Sequence, residues 1–144
     1  MKRLLLILFC IFLYAHLDAQ PLNQYEQAYF KQMLANQEKY WNFGDIDGYM
    51  SYYWGSDSLI FISKGKLTKG WQHIRDGYEK KYPDTLSMGK LEFTNLFFYK
   101  LDKKKVIATG SWKLLRQGGD MGGTFTLIWK KIHGRWVIIL DHTE

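Results

Sequence analysis

The stretch that decides the fold runs from Lys90 to Glu144, KLEFTNLFFYKLDKKKVIATGSWKLLRQGGDMGGTFTLIWKKIHGRWVIILDHTE. Four segments in it, Lys90 to Leu101, Val106 to Gln117, Gly123 to Ile132 and Arg135 to His142, are rich in aromatic and branched residues. That composition suits pleated, half-buried strands. The breaks between them, Asp102 to Lys105, Gly118 to Gly122 and His133-Gly134, are short and polar, as antiparallel hairpins require. The segment therefore reads as an antiparallel meander.

The residues before this meander read differently. Between Pro21 and Trp41, Phe30, Leu34, Gln37 and Trp41 recur at helical spacing, an amphipathic helix with one polar residue in its apolar stripe. Asn42-Phe43-Gly44 ends it, and Asp45 offers a carboxylate as the N-cap of a second short helix through Tyr53. Ser58 to Ser63 is a short strand, turned by Lys64-Gly65-Lys66. A third helix starts near Gly70-Trp71 and runs through Ile74, Tyr78 and Tyr82 to Pro83. Helices first and strands last predict an α+β domain with helices on one face of a curved sheet.

Met1-Lys2-Arg3, the apolar run Leu4 to Leu13 and Leu17-Asp18-Ala19 have the layout of a secretory signal peptide, cleaved after Ala19. The uncharged stretch from Leu4 to Leu17 is shorter than the roughly 20 residues of a spanning helix, so no stable membrane insertion is expected after cleavage. The division expected is residues 1–19 as signal and 20–144 as one domain, exported to the periplasm or outside the cell. The single cysteine, Cys10, falls in the signal, which removes disulfides, thiolate nucleophiles and cysteine-held metals from the mature part. Without Lys2, Arg3 and Asp18 the chain keeps 18 basic and 13 acidic residues, a formal charge of +5. The excess clusters at Lys100, Lys103, Lys104 and Lys105 and at Lys130 and Lys131, which read as solvated turns; nucleic acid is not an expected partner.

Three segments carry a family resemblance. Trp41-Asn42-Phe43-Gly44-Asp45 with Tyr49, Tyr53 and Trp54, Gly110-Ser111-Trp112 with Gly122 to Leu127, and Trp136 to Thr143 resemble the SnoaL-like branch of the nuclear-transport-factor-2-like superfamily. The resemblance spans nearly the whole mature chain. It implies a cone-shaped barrel, in which a strongly curved, mainly antiparallel sheet wraps a long N-terminal helix with two shorter helices. A cavity would open at one end, and the outer sheet face would pair two subunits. The fold hosts isomerases, dehydratases, cyclases and non-catalytic binding domains, so it does not name a reaction.

Strand alternation supplies the candidate residues. With Trp136 inward, Ile138, Leu140 and His142 share its face, while Val137, Ile139 and Asp141 point outward. His142 is then a candidate general base at the cavity mouth, or a residue that closes the pocket with one hydrogen bond. The same argument aligns Trp112 and Arg116 on one side of their strand, an aromatic wall with a fixed cation. Gln37, Trp41, Tyr49 and Tyr53, with Tyr78, complete the candidate ligand-binding set. Ketosteroid isomerases of this fold carry a carboxylate base within the first strand, which here is Leu59-Ile60-Phe61-Ile62 without an acid. Relatives resembling scytalone dehydratase use two cavity histidines, and a second is present here only if His73 turns inward. No ligand spacing supports a metal, and no cofactor is expected. The split glycines Gly118, Gly119, Gly122 and Gly123 form a hairpin, not a phosphate loop.

The functions left standing are a small-molecule-binding domain with an aromatic pocket, a cofactor-free lyase or isomerase using His142, and a structural dimerisation module. A homodimer would bury Val137 and Ile139 of the outer face.

Overall fold

In the computed structural model, residues 20–144 are described, and the signal segment expected at residues 1–19 lies outside them. The first helix, α1 (Gln24–Asn42), is started by a reciprocal cap: Asn23 accepts from the Glu26 backbone amide and the Glu26 side chain accepts from the Asn23 amide. Phe30, Leu34, Gln37 and Trp41 are its buried residues, the stripe expected from spacing. Asp45 caps α2 (Ile46–Met50), which stops three residues short of Tyr53. Ahead of α1, β1 (Gln20–Pro21) pairs with the far end of β4.

The hairpin β2 (Ile60–Ser63) and β3 (Lys66–Lys69) turns through Lys64 and Gly65, both at positive φ, which matches the turn's twist to that of its strands. Then come α3 (Trp71–Lys81) and a single turn, α4 (Thr85–Met88), capped by Asp84 and Ser87. The two shorter helices expected after α1 are therefore three. β4 (Lys90–Asp102), β5 (Lys105–Leu115), β6 (Met121–Ile132) and β7 (Arg135–Thr143) form the antiparallel meander.

The sheet order is β1-β4-β5-β6-β7-β2-β3. It is not closed, and it is mixed, because β2 runs parallel to β7. α1 fills its hollow: Phe30 meets Phe98, Trp129 and Trp136 at ring-centroid distances of 6.0, 5.6 and 5.1 Å. The other edge of β4 is held by α1 itself. Asn42 bonds the Leu91 amide and carbonyl at 2.7 and 3.1 Å, and Glu38 accepts from the Phe93 amide. Polar residues on a helix thus occupy backbone groups that an open sheet edge would leave free.

β7 departs from simple alternation. Ile128 faces Leu140 and Trp129 faces Ile138, so Ile139 is an extra residue with no opposite number, a β-bulge. A one-residue insertion inverts every later side chain. Trp136 and Ile138 point into the core, but beyond the bulge Asp141 is buried and His142 is exposed, the reverse of the strict alternation expected for them.

Candidate functional site

α1, α2, α3 and the ends of β2, β4, β5, β6 and β7 enclose a cavity of about 470 Å³, within the range usual for small-molecule sites. Its wall is aromatic. Trp41 lies edge-on to Tyr49, Tyr78 and Tyr82, with centroids at 5.2, 5.7 and 5.0 Å, and its indole donates to the Met88 carbonyl. Phe61, Phe93 and Phe125 add apolar surface.

The polar groups meet at the floor. Tyr53 donates its hydroxyl to Asp141 Oδ2 at 2.7 Å, and the Tyr49 and Tyr53 hydroxyls lie 3.2 Å apart. Burial pushes the Asp141 carboxyl up from 3.8 to about 7, against smaller downward pulls from the Tyr53 hydroxyl and from His142. Burial likewise raises Tyr49, Tyr53 and Tyr78, so these phenols remain protonated donors across the physiological range. Gln37 reaches the Tyr49 carbonyl with its amide nitrogen at 3.4 Å.

Three buried polar atoms around this one cavity have no protein partner: Gln37 Oε1, Asp141 Oδ1 and Trp112 Nε1. Such atoms are uncommon in native interiors, because each costs the desolvation it does not recover. Trp129 Nε1 is also unpartnered, but it stands in the closed end against Phe30, away from the cavity. Trp112 can lie where it does because Gly123 opposite it has no side chain; a Cβ there would meet Trp112 Nε1 at 3.1 Å and overlap the Glu144 carbonyl.

The residues expected from sequence divide into two groups. Gln37, Trp41, Tyr49, Tyr53 and Trp112 line the cavity, and so does Tyr78. His142 and Arg116 do not. His142 lies on the outer side with its Nε2 2.9 Å from Glu144 Oε1, sent there by the bulge at Ile139. Arg116 stands past the end of β5 at Leu115, where alternation no longer governs it. Its Nε donates to the Gly119 carbonyl at 3.1 Å beside a separate hollow near Asn42 and Thr85. His73 sits at the exposed cavity mouth, so no pair of histidines faces the floor. Asp141 takes the place that alternation assigned to His142. Nothing in Val137-Ile138-Ile139-Leu140 marks the bulge, since four branched apolar residues in a row carry no alternation to interrupt.

Among the described residues no cluster of His, Cys, Asp and Glu is arranged to hold a metal ion, and no helix is long and apolar enough to cross a membrane.

No protein-family model and no curated protein matches the sequence. Solved structures do. An NTF-2-like protein of unknown function from Shewanella oneidensis is 39% identical, with a TM-score of 0.78 over 82% of this chain and 98% of that one. A protein of unknown function with a cystatin-like fold from Nostoc punctiforme shares 16% identity at a TM-score of 0.69, covering 87% of this chain and 94% of its own. An NTF2-like protein of unknown function from Pseudomonas putida shares 14% at a TM-score of 0.68, covering 85% and 88%; these last two speak for the fold alone.

Proposed function

The chain belongs to the NTF-2-like family, and from that premise we propose that it is an exported small-molecule-binding domain whose ligand fills the aromatic cavity. One observation carries the reading: Gln37 Oε1, Asp141 Oδ1 and Trp112 Nε1 surround one cavity without partners. Two acceptors and a donor, set in an aromatic wall, suit a flat molecule with hydrogen-bonding groups at its edges. Native mass spectrometry of the protein purified from its own host tests this. A bound non-protein mass, lost in Asp141→Ala, is expected; a bare protein with an unaltered Asp141→Ala spectrum would overturn it. N-terminal sequencing of exported material, with Gln20 expected first, tests the signal.

Asp141 also supports a second reading, a cofactor-free lyase or isomerase in which Asp141 replaces His142 as the proton-transfer group. A carboxyl poised at about 7 with one free oxygen toward the cavity can accept a proton from substrate and return it. With the Tyr53 hydroxyl donating to Asp141 and the Tyr49 hydroxyl to Tyr53, the unpartnered Trp112 indole N–H is the donor left to steady the negative charge that develops. Incubating a host metabolite extract with the protein in deuterium oxide should label a product, and Asp141→Asn should abolish the label. Equal labelling by the variant would remove this reading and leave binding.

The homodimer is proposed on a row of apolar residues crossing the outer sheet face. Tyr99, Ile107, Ile128, Leu140 and Ile60 are successive partners across five strands and lie outside the core cluster. This row replaces the Val137 and Ile139 patch, because Val137 is already 9% exposed within its own subunit and Ile139 is the bulge residue. Ile128→Glu should sediment as a folded monomer where the wild type sediments as a dimer; a monomeric wild type at micromolar concentration would sink the idea.

A further inference from the structure

The cavity mouth carries a charge pattern that its floor does not. Four lysines rim it, Lys64 and Lys66 from the β2–β3 hairpin and Lys80 and Lys81 from the last turn of α3. None has an acidic partner within 4.0 Å among the described residues. Two acids share this rim: Asp76, which shares Arg75 with Asp47 and Glu79, and Glu144, which lies against His142.

Each lysine pair has a local reason to exist. Cations suit the negative end of a helix, and lysine suits an exposed edge hairpin. Those reasons do not require the two pairs to converge on one opening. Lys81 is further fixed by Tyr82: its ammonium stands 5.0 Å from the centre of a ring that itself lines the cavity. With four lysines against two acids, the rim is net positive over an aromatic shaft.

The depth of the shaft follows from register. Phe61 pairs with Asp141 and Ser63 with Thr143, with the Lys64 turn immediately beyond. Two residues of strand are about 7 Å, so the backbone at the floor carboxyl lies about that far below the start of the Lys64 turn. Resting on the small-molecule reading above, we propose that the ligand is an amphiphilic organic acid at least this long. Its flat apolar body lies along Trp41, Tyr78 and Trp112, its anionic group is held by the lysine rim, and a hydroxyl at its far end donates to the unpartnered Asp141 Oδ1 or Gln37 Oε1.

The test uses 6-hydroxy-2-naphthoate, which places a carboxylate and a hydroxyl at opposite ends of a flat body, against the neutral 6-hydroxy-2-naphthamide. Calorimetric affinities at low salt should favour the acid about tenfold, the size expected of several exposed charges acting together. The preference should shrink towards parity in 0.5 M salt, where the screening length falls to a few ångströms. It should also vanish in Lys66→Gln/Lys80→Gln/Lys81→Gln, whose circular dichroism stays that of the wild type. The equal loss of charge in Lys103→Gln/Lys104→Gln/Lys131→Gln, outside the rim, should leave the preference intact. Equal binding of acid and amide at low salt, or equal effects of the two triple variants, would overturn the proposal while sparing the pocket. Binding of neither probe at millimolar concentration would overturn the pocket reading and this one with it.

Discussion

The two ends of the cone are built from the same kind of residue and do opposite things. At the closed end Phe30 packs against Phe98, Trp129 and Trp136. At the open end Trp41 packs against Tyr49, Tyr78 and Tyr82 at similar centroid spacings, edge-on to all three, as Phe30 is to Trp129 and Trp136 but not to Phe98, on which it stacks. What differs is what the rings point at. The closed end fills its space, whereas the open end turns phenols, an amide and a carboxyl towards a void. Aromatic density is therefore no guide to function by itself, nor is a lone unpaired atom such as Trp129 Nε1; several unpaired polar atoms around one cavity are.

If that contrast is right, stability is concentrated at one end and recognition at the other. Trp129→Ala should be the most damaging single change, costing about 3–5 kcal/mol in urea unfolding because Trp129 is fully buried and its removal leaves a cavity. Tyr78→Phe at the open end should cost far less. Equal losses would erase the distinction.

The next effect is a pH dependence centred on Asp141 at the open end. The folded protein holds the Asp141 proton more tightly than the unfolded chain does, with the carboxyl at about 7 against 3.8. Its contribution to stability is therefore complete below the lower value and is lost as pH rises through the upper one. Within that window the slope approaches about 1.4 kcal/mol per pH unit. Asp141→Asn should flatten this slope in melting experiments at pH 5 and pH 8, and a variant with the wild-type slope would show that the carboxyl does not titrate as its burial requires.

A smaller change is expected from Tyr53→Phe. It removes one hydrogen bond to a buried carboxyl, about 1 kcal/mol, and by withdrawing a donor that favours the ionised form it should raise the Asp141 midpoint further. A carboxyl-carbon NMR titration reads this directly; a midpoint that falls would mean that the hydroxyl donates elsewhere. The smallest effects belong to His142→Ala and Arg116→Ala, which should stay within about 0.5 kcal/mol of wild type and leave naphthoate affinity unchanged. A loss of binding in either would return that residue to the cavity.

What could be read from the sequence was what periodicity carries. Phe30, Leu34, Gln37 and Trp41 were legible as one buried face because a long helix repeats its pattern often enough to be seen. The four long strands were legible for the same reason. Lys66–Lys69 was not, since a four-residue strand with two lysines offers no buried face to detect, and the parallel pairing of β2 with β7 leaves no local trace. The cavity's aromatic wall was legible through α1 and α2. Its floor was not, because the orientation of Asp141 depends on one unpaired residue inside a uniformly apolar run. The lysine rim was equally hidden: Lys64, Lys66, Lys80 and Lys81 come from two separate segments that only the tertiary structure brings together.

The bulge at Ile139 makes the character of the cavity floor a matter of register. Asp141 and His142 are neighbours on one strand, and whether the residue upstream finds a partner decides which of them faces the cavity. A ladder that took Ile139 in as a paired residue would turn over everything after it and exchange the buried acid for an imidazole, with neither side chain itself mutated, whereas deleting Ile139 would only remove the bulge and leave Asp141 inward. Relatives with the same Asp-His pair but a paired residue at this position would then show a different group to the same cavity, and comparisons made column by column would score it as conserved.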